Sequence, residues 1–264
     1  MPIVPLSHSA HGELRLTPGT LQHVQRQPLL PVSVAEAPRA ALDLPLVFAR
    51  TEAGLHLLAL LSPDPADNAQ IGPKGRWMGG YVPAALRAHP FRAVGDRPEQ
   101  EGDGDASMRL SVLIDTDSDW LSRDEGQPLF APDGQPTEVL EQRLQLLRTQ
   151  APNAWRDSAL LAAIDTAQVL LPWHAAPEQL PSPLYTLSHE RLAALLPPAL
   201  AALRDAGALA LLYAQHHSLA RLQRLQQLAK RKAQMSERQN ASLSADDDFV
   251  LRFDAGDDEP FQFD

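Results

Sequence analysis

The chain has 264 residues, 44% of them hydrophobic, a net charge of −10 and no cysteine. That length supports one large domain or two small ones around a sizeable core, and the missing thiols exclude disulfides, zinc fingers and iron–sulfur clusters. The acidity is uneven: residues 244–264 hold eight acidic side chains and one arginine, a net of −7, which leaves −3 for everything before them. A near-neutral body lacks the clustered positive field of a nucleic-acid groove, so no nucleic-acid partner is expected.

Residues 1–10 read as a loose arm. The opening MPIVPLSHSAHGE has neither the basic stretch nor the long apolar stretch of a secretory signal. The longest apolar run, Ala206–Ala214, is too short to span a bilayer. The expectation is a cytoplasmic protein that does not insert in membranes, with export by a non-classical route left open. Val32–Val34 is apolar and extended, and Glu36 to Leu42 reads as a short helix with Pro38 in its first turn. Leu46–Arg50 and Leu55–Leu61 read as two strands joined by a Glu52-Ala53-Gly54 hairpin turn.

Residues 75–91, GRWMGGYVPAALRAHPF, form the densest aromatic block of a chain with 5% aromatics. Pro83 to His89 within it reads as one short helix with proline at its start. Residues 95–107 are polar and glycine-containing, an exposed loop. Met108–Ile114 reads as a central strand ended by Asp115–Asp119.

Thr137 is a good N-cap for a helix with acids in its first turns, and a second helix is expected over Asn153–Ala167. Val169–Leu171 and Leu184–Leu187 are short strand candidates, and Ser188 caps a helix starting at His189. Residues 198–206 form a further helix stopped by Gly207, and Leu209 to about Ala233 is the longest. The fold class is α+β: a β-rich N-terminal half with a mixed or antiparallel sheet and a helical C-terminal half. One domain is expected over residues 11–235, followed by a disordered acidic tail over 236–264.

The strongest chemical signal is the run Asp115-Thr-Asp117-Ser-Asp119 after an apolar strand. Alternating carboxylates at a strand end can hold a hard cation. The EF-hand pattern fails here, since Trp120 and Gly126 stand where Gly and Glu belong. A phosphatase-type DxDx[TV] fails at Asp119, and the bland alternative is an acidic turn capping its own backbone. His8 and His11 are close in sequence, whereas His216-His217 point about 100° apart on a helix. His174 and His189 stand alone.

No G-x-S-x-G elbow, phosphate loop or HExxH occurs. No metal site and no cofactor is expected, and no catalytic residue is assigned. Trp77, Tyr81 and Arg87 have the composition of a ligand or partner pocket, with Asp115 and Asp117 as neighbours in a candidate cleft. The alternative is that the aromatics fill the core. Phe249, Phe253, Phe261 and Phe263, set among acids, are candidate anchors for docking the tail on a partner.

His11-Gly-Glu-Leu-Arg15, Gly75-Arg-Trp77, Tyr81-Val-Pro-Ala84 and Tyr213-Ala-Gln215 are among several segments that stand in register and together resemble the SapC family, bacterial proteins named for a link to S-layer arrays. They begin at His11-Gly-Glu-Leu-Arg15 and continue through Glu36, Ala40-Ala41 and Pro45-Leu-Val-Phe48. Asp43-Leu44 stands where the family more typically has a tyrosine. Asn68, Gly75-Arg-Trp77, Tyr81-Val-Pro-Ala84, Arg87, Pro90-Phe91, Ile114-Asp115 and Gly126-Gln-Pro-Leu-Phe130 follow in order. Glu190, Gly207-Ala-Leu209 and Tyr213-Ala-Gln215 close the match, which runs to about Leu228.

The resemblance implies a soluble accessory protein, often encoded near outer-membrane receptor systems, acting through a protein partner. It carries over no catalytic residue. A membrane permease that shares the name is unrelated, and this sequence lacks its spanning segments. The rival expectation is an enzyme, or a cofactor-assisted modifying protein, working in a cleft around Asp115, Asp117, Trp77, Tyr81 and Arg87.

Overall fold

A computed structural model of the chain describes residues 3–17, 19–95, 110–180 and 183–247. Residues 3–10 carry a strand, β1 (Ile3–Pro5), and the start of a one-turn helix, α1 (His8–His11). Then follow β2 (Arg15–Leu16), a 3-10 turn at Leu21–Val24, β3 (Leu29–Pro31), α2 (Ala37–Ala40), β4 (Leu46–Thr51) and β5 (Gly54–Leu60). A second 3-10 turn, Pro73–Gly75, leads to α3 (Ala84–Ala88), β6 (Phe91–Gly95) and β7 (Leu110–Asp115). Two short strands, β8 (Leu121–Ser122) and β9 (Gln127–Pro128), precede the long helix α4 (Glu138–Thr166). β10 (Leu170–Pro172) and β11 (Leu184–Leu187) lead into α5 (His189–Ala193), α6 (Pro197–Asp205), α7 (Ala208–Ser218) and α8 (Leu222–Asp247). The fold is α+β, with most of the strands in the N-terminal half and helices dominating the C-terminal half.

The main sheet has the order β10-β11-β4-β5-β3, and each of its pairs is antiparallel. Its centre is the β4–β5 hairpin, in register from Leu46 opposite Ala59 to Thr51 opposite Gly54. The period-2 alternation of a strand sorts its side chains between two faces. Leu46, Phe48, Leu57 and Ala59 enter a first core under α2 and α7. Val47 and Leu60 face the other way, against Leu180, Leu184 and Leu225. β3 lies at Leu29–Pro31, just before the extended stretch expected at Val32–Val34.

A second sheet, β1-β7-β6, makes β7 the central strand. Phe91 and Ile114 from it join Leu140, Leu144 and Leu147 of α4 in a second core. A third, small sheet, β8-β2-β9, closes over Leu16.

Two helices differ from the sequence expectation. α4 is a single 29-residue helix that runs through Pro152, where two helices were expected. An interior proline costs about 3 kcal/mol of helix stability. Packing offsets it, because Leu140, Leu144 and Leu147 are buried in the second core and Leu161 and Ile164 in the first. Each buried leucine contributes about 1.5–3 kcal/mol, so the helix is held at both ends by different cores.

The expected helix from Leu209 is instead interrupted after Ser218 by a 3-10 turn, Leu219–Arg221. The Ser218 hydroxyl donates back to the Gln215 carbonyl at 2.6 Å, a side-chain bond that competes with regular helix. Elsewhere the punctuation is as expected: Ser188 accepts from the Arg191 amide at the start of α5, and Gly207 sits at φ 75° between α6 and α7. The described residues up to Ala229 form one compact unit, and those from Lys230 to Asp247 belong to a second, which is helical.

Candidate functional site

The aromatic block of residues 75–91 is fixed from below by two carboxylates. Buried Glu36 accepts from the Ser33 amide with Oε1, and from the Tyr81 hydroxyl (2.7 Å) and the Ala84 amide (2.9 Å) with Oε2. Asp43 Oδ2 accepts from the Gly80 and Tyr81 amides at 2.5 and 2.9 Å, and its Oδ1 accepts from Arg224 at 2.6 Å. The chain is crowded here. A Cβ on Gly79 would stand 2.8 Å from Asp43 Oδ2, Gln70 Oε1 and Trp77 Nε1 alike, so any larger residue there has to push these side chains aside.

Held this way, the block forms one wall of a cleft of about 530 Å³. The opposite walls come from Gly19–Leu21, from Trp120 after β7 and from Arg143 of α4. Four cationic side chains line it, Lys74, Arg76, Arg87 and Arg143, together with the indoles of Trp77 and Trp120 and the apolar Leu21, Val82 and Leu86. No acidic side chain is among the described lining residues.

Each wall has a local cause. Lys74 takes a left-handed φ of 60° in its 3-10 turn. Arg87 Nε donates to the Val82 carbonyl, and Arg143 donates to the Arg87 carbonyl at the end of α3. Burial lowers the pKa of Arg143 from its ordinary value, yet an arginine stays charged. Trp120 Nε1 donates to the Thr20 carbonyl at 2.8 Å. A second depression, about 250 Å³ between Pro172 and Leu184, has only His174 and Glu178 as titratable walls and offers far less chemistry.

Behind Trp120 lies a group of side chains drawn from three distant segments. The imidazoles of His23 and His89 stack with centroids 3.8 Å apart and planes within 13°. Trp120 meets both edge-on, at 6.1 and 5.1 Å. His89 Nε2 lies 2.8 Å from Ser118 Oγ, which also accepts from the Trp120 amide. Burial, then the neighbouring His23, pushes the His89 pKa down to about 4. Burial also lowers His23, against the opposing pull of Asp119. Both rings are therefore neutral at pH 7.

The five residues singled out from sequence do not share one cavity. Trp77 and Arg87 line the cleft, and half-buried Trp77 also packs against the first core. Tyr81 turns to Glu36, with the Arg87 guanidinium 5.9 Å from its ring. Asp115 is buried in its own turn, where its Oδ1 accepts from the Asp117 amide, while Asp117 is exposed. His8 packs on Phe130, and His11 hydrogen-bonds with Ser7. His216 meets both His189, at 4.2 Å, and His217, at 5.4 Å. Phe249, Phe253, Phe261 and Phe263 lie outside the described residues. Sequence reasoning missed Trp120, Arg143, His23 and His89. They come from separate segments, and no local spacing links them.

Fold and site together define an α+β protein with a cationic, tryptophan-walled cleft. The chain belongs to the SapC family, whose sequence model matches residues 6–225. No curated protein and no solved structure matches it. Among the described residues, no helix is long and apolar enough to cross a membrane.

Proposed function

We propose that this SapC-family chain is an accessory binding protein of a bacterial cell-surface system, and that its cleft holds an acidic, aromatic-bearing segment of a protein partner. One observation carries the reading: four cations and two indoles converge on a cleft without acidic lining, on a chain whose net charge is −10. Arginine forks match carboxylates, and indole faces accept flat rings. The low-dielectric indole walls strengthen those ion pairs relative to open water. The cell-surface setting rests on what the family's name implies and not on the cleft.

The test is a titration of the full chain, by calorimetry and tryptophan emission, with a five-residue peptide of central phenylalanine flanked by aspartates. The same peptide with lysines for aspartates, and one with alanine for phenylalanine, serve as comparisons. The acidic phenylalanine peptide should bind best, and Lys74→Glu with Arg76→Glu should weaken it at least ~10-fold, as removal of two ion pairs implies. Equal binding of the acidic and basic peptides overturns the reading.

A further inference from the structure

We propose that His23, His89 and Asp119 form a binding site for one divalent transition-metal ion of the zinc class. One ligand atom from each residue lies within 4.8 Å of the others, and among the described residues no other group of three such side chains converges this closely. Two imidazoles and one carboxylate are the donor set of zinc, iron(II) or cobalt(II), not of magnesium or calcium, which take oxygen.

The fit is local as well as compositional. His23 Nδ1 is buried and makes no hydrogen bond of normal geometry, although the Thr20 backbone lies near enough to act on the ring. A metal ion accounts for that atom. On His89 the Ser118 hydroxyl already occupies Nε2. A serine oxygen can accept both from that ring N–H and from the Trp120 amide, and in that tautomer the His89 lone pair is on Nδ1. Serine then acts as the outer partner that orients a metal-ligating histidine.

The geometry is that of a site before loading. Two ligands of one tetrahedral zinc ion stand about 3.3 Å apart, against a present limit of 4.8 Å. Imidazole lone pairs lie in the ring plane, so the two rings, now stacked with centroids 3.8 Å apart and planes within 13°, unstack when both ligate one ion. Asp119 is exposed, so it is free to swing in. The buried carboxylate of Asp115 acts on both rings and adds negative potential, opposed by Arg92. The three ligands come from the Leu21–Val24 turn, the end of α3 and the turn after β7, so metal would clip three segments together and stabilise the fold by mass action.

The experiment uses the full chain stripped with a chelator, then titrated with zinc by calorimetry and with cobalt by visible absorption. The expected result is one ion per chain, a cobalt spectrum of nitrogen–oxygen ligation and a zinc-dependent rise in Tm. Asp119→Asn, a change at an exposed carboxylate, should weaken binding at least ~10-fold, the lower end of what even outer-shell changes cost. It should leave the metal-free Tm unchanged. His89→Gln should abolish the cobalt spectrum, while His216→Gln and His174→Gln should preserve it. Binding that survives Asp119→Asn and His89→Gln, binding lost in His216→Gln, or no stoichiometric uptake of either metal overturns the proposal.

Discussion

The Tyr81 hydroxyl donates to Glu36 Oε2 at 2.7 Å, and through that bond a residue of the α2 cap anchors the block whose Trp77 and Arg87 wall the cleft. The same oxygen also accepts from the Ala84 amide, so one buried carboxylate orders both the loop and the start of α3. Glu36→Gln keeps the shape but replaces the acceptor at Oε2 or Oε1 with a donor facing a donor. The expected loss is about 1–3 kcal/mol, with an unchanged urea m-value, since the folded state stays compact. Tyr81→Phe leaves Ala84 its partner and should cost about 1 kcal/mol.

Alkaline pH tests the same pair independently. Burial first, then the Glu36 carboxylate, push the Tyr81 pKa up to about 12 from 10.0. An acid whose folded pKa exceeds its unfolded value binds its proton more tightly in the fold. That stabilisation is complete below pH 10 and is lost as pH rises toward 12. Wild type should therefore lose Tm across this window more steeply than Tyr81→Phe, measured by circular dichroism melts. Parallel curves would mean that Tyr81 ionises freely.

What the sequence reveals here follows the range of the interactions. The β4–β5 hairpin is legible because alternation and the Glu52-Ala53-Gly54 turn are both local. Ser188 and Gly207 are legible because a cap and a left-handed stop act within one helical turn. β1 is not: three residues carry no period, and Ile3–Pro5 is extended because β7 pairs with it from far along the chain. The continuity of α4 through Pro152 is invisible for the same reason, since the packing that offsets the proline lies in two cores. The cleft divides likewise. Trp77 and Arg87 stand out within a single dense block, but Trp120 and Arg143 join them only through tertiary structure.

Gln215 is fully buried and serves as a strand substitute between β4 and β11. Its Nε2 donates to the Leu46 carbonyl and its Oε1 accepts from the Leu187 amide, both at 3.1 Å, where the ladder between those strands has ended. Ser218 completes the patch by accepting from the Leu46 amide at 2.8 Å. Gln215→Leu preserves volume but strands two backbone groups, so the expected cost is about 2–4 kcal/mol in urea unfolding. Ser218→Ala strands one and should cost about 1–2 kcal/mol. A neutral Gln215→Leu would show that water replaces the amide.

Gly19 decides where Trp120 stands. A Cβ at Gly19 would meet Trp120 Cδ1 at 1.8 Å and Nε1 at 1.9 Å, a distance no contact tolerates. Gly19→Ala must therefore displace the indole. That breaks its bond to the Thr20 carbonyl and its edge contacts with His23 and His89. Overpacking of this kind costs about 1–3 kcal/mol, and the displaced indole should shift tryptophan emission to the red. Because Trp120 walls the cleft, the acidic phenylalanine peptide should bind more weakly to Gly19→Ala. Gly80→Ala is the matched control: its Cβ meets Asp43 at an ordinary 3.5 Å, and emission should stay put. Retained peptide affinity in Gly19→Ala, alongside a red-shifted spectrum, would remove Trp120 from the binding surface and leave recognition to Trp77 and the four cations.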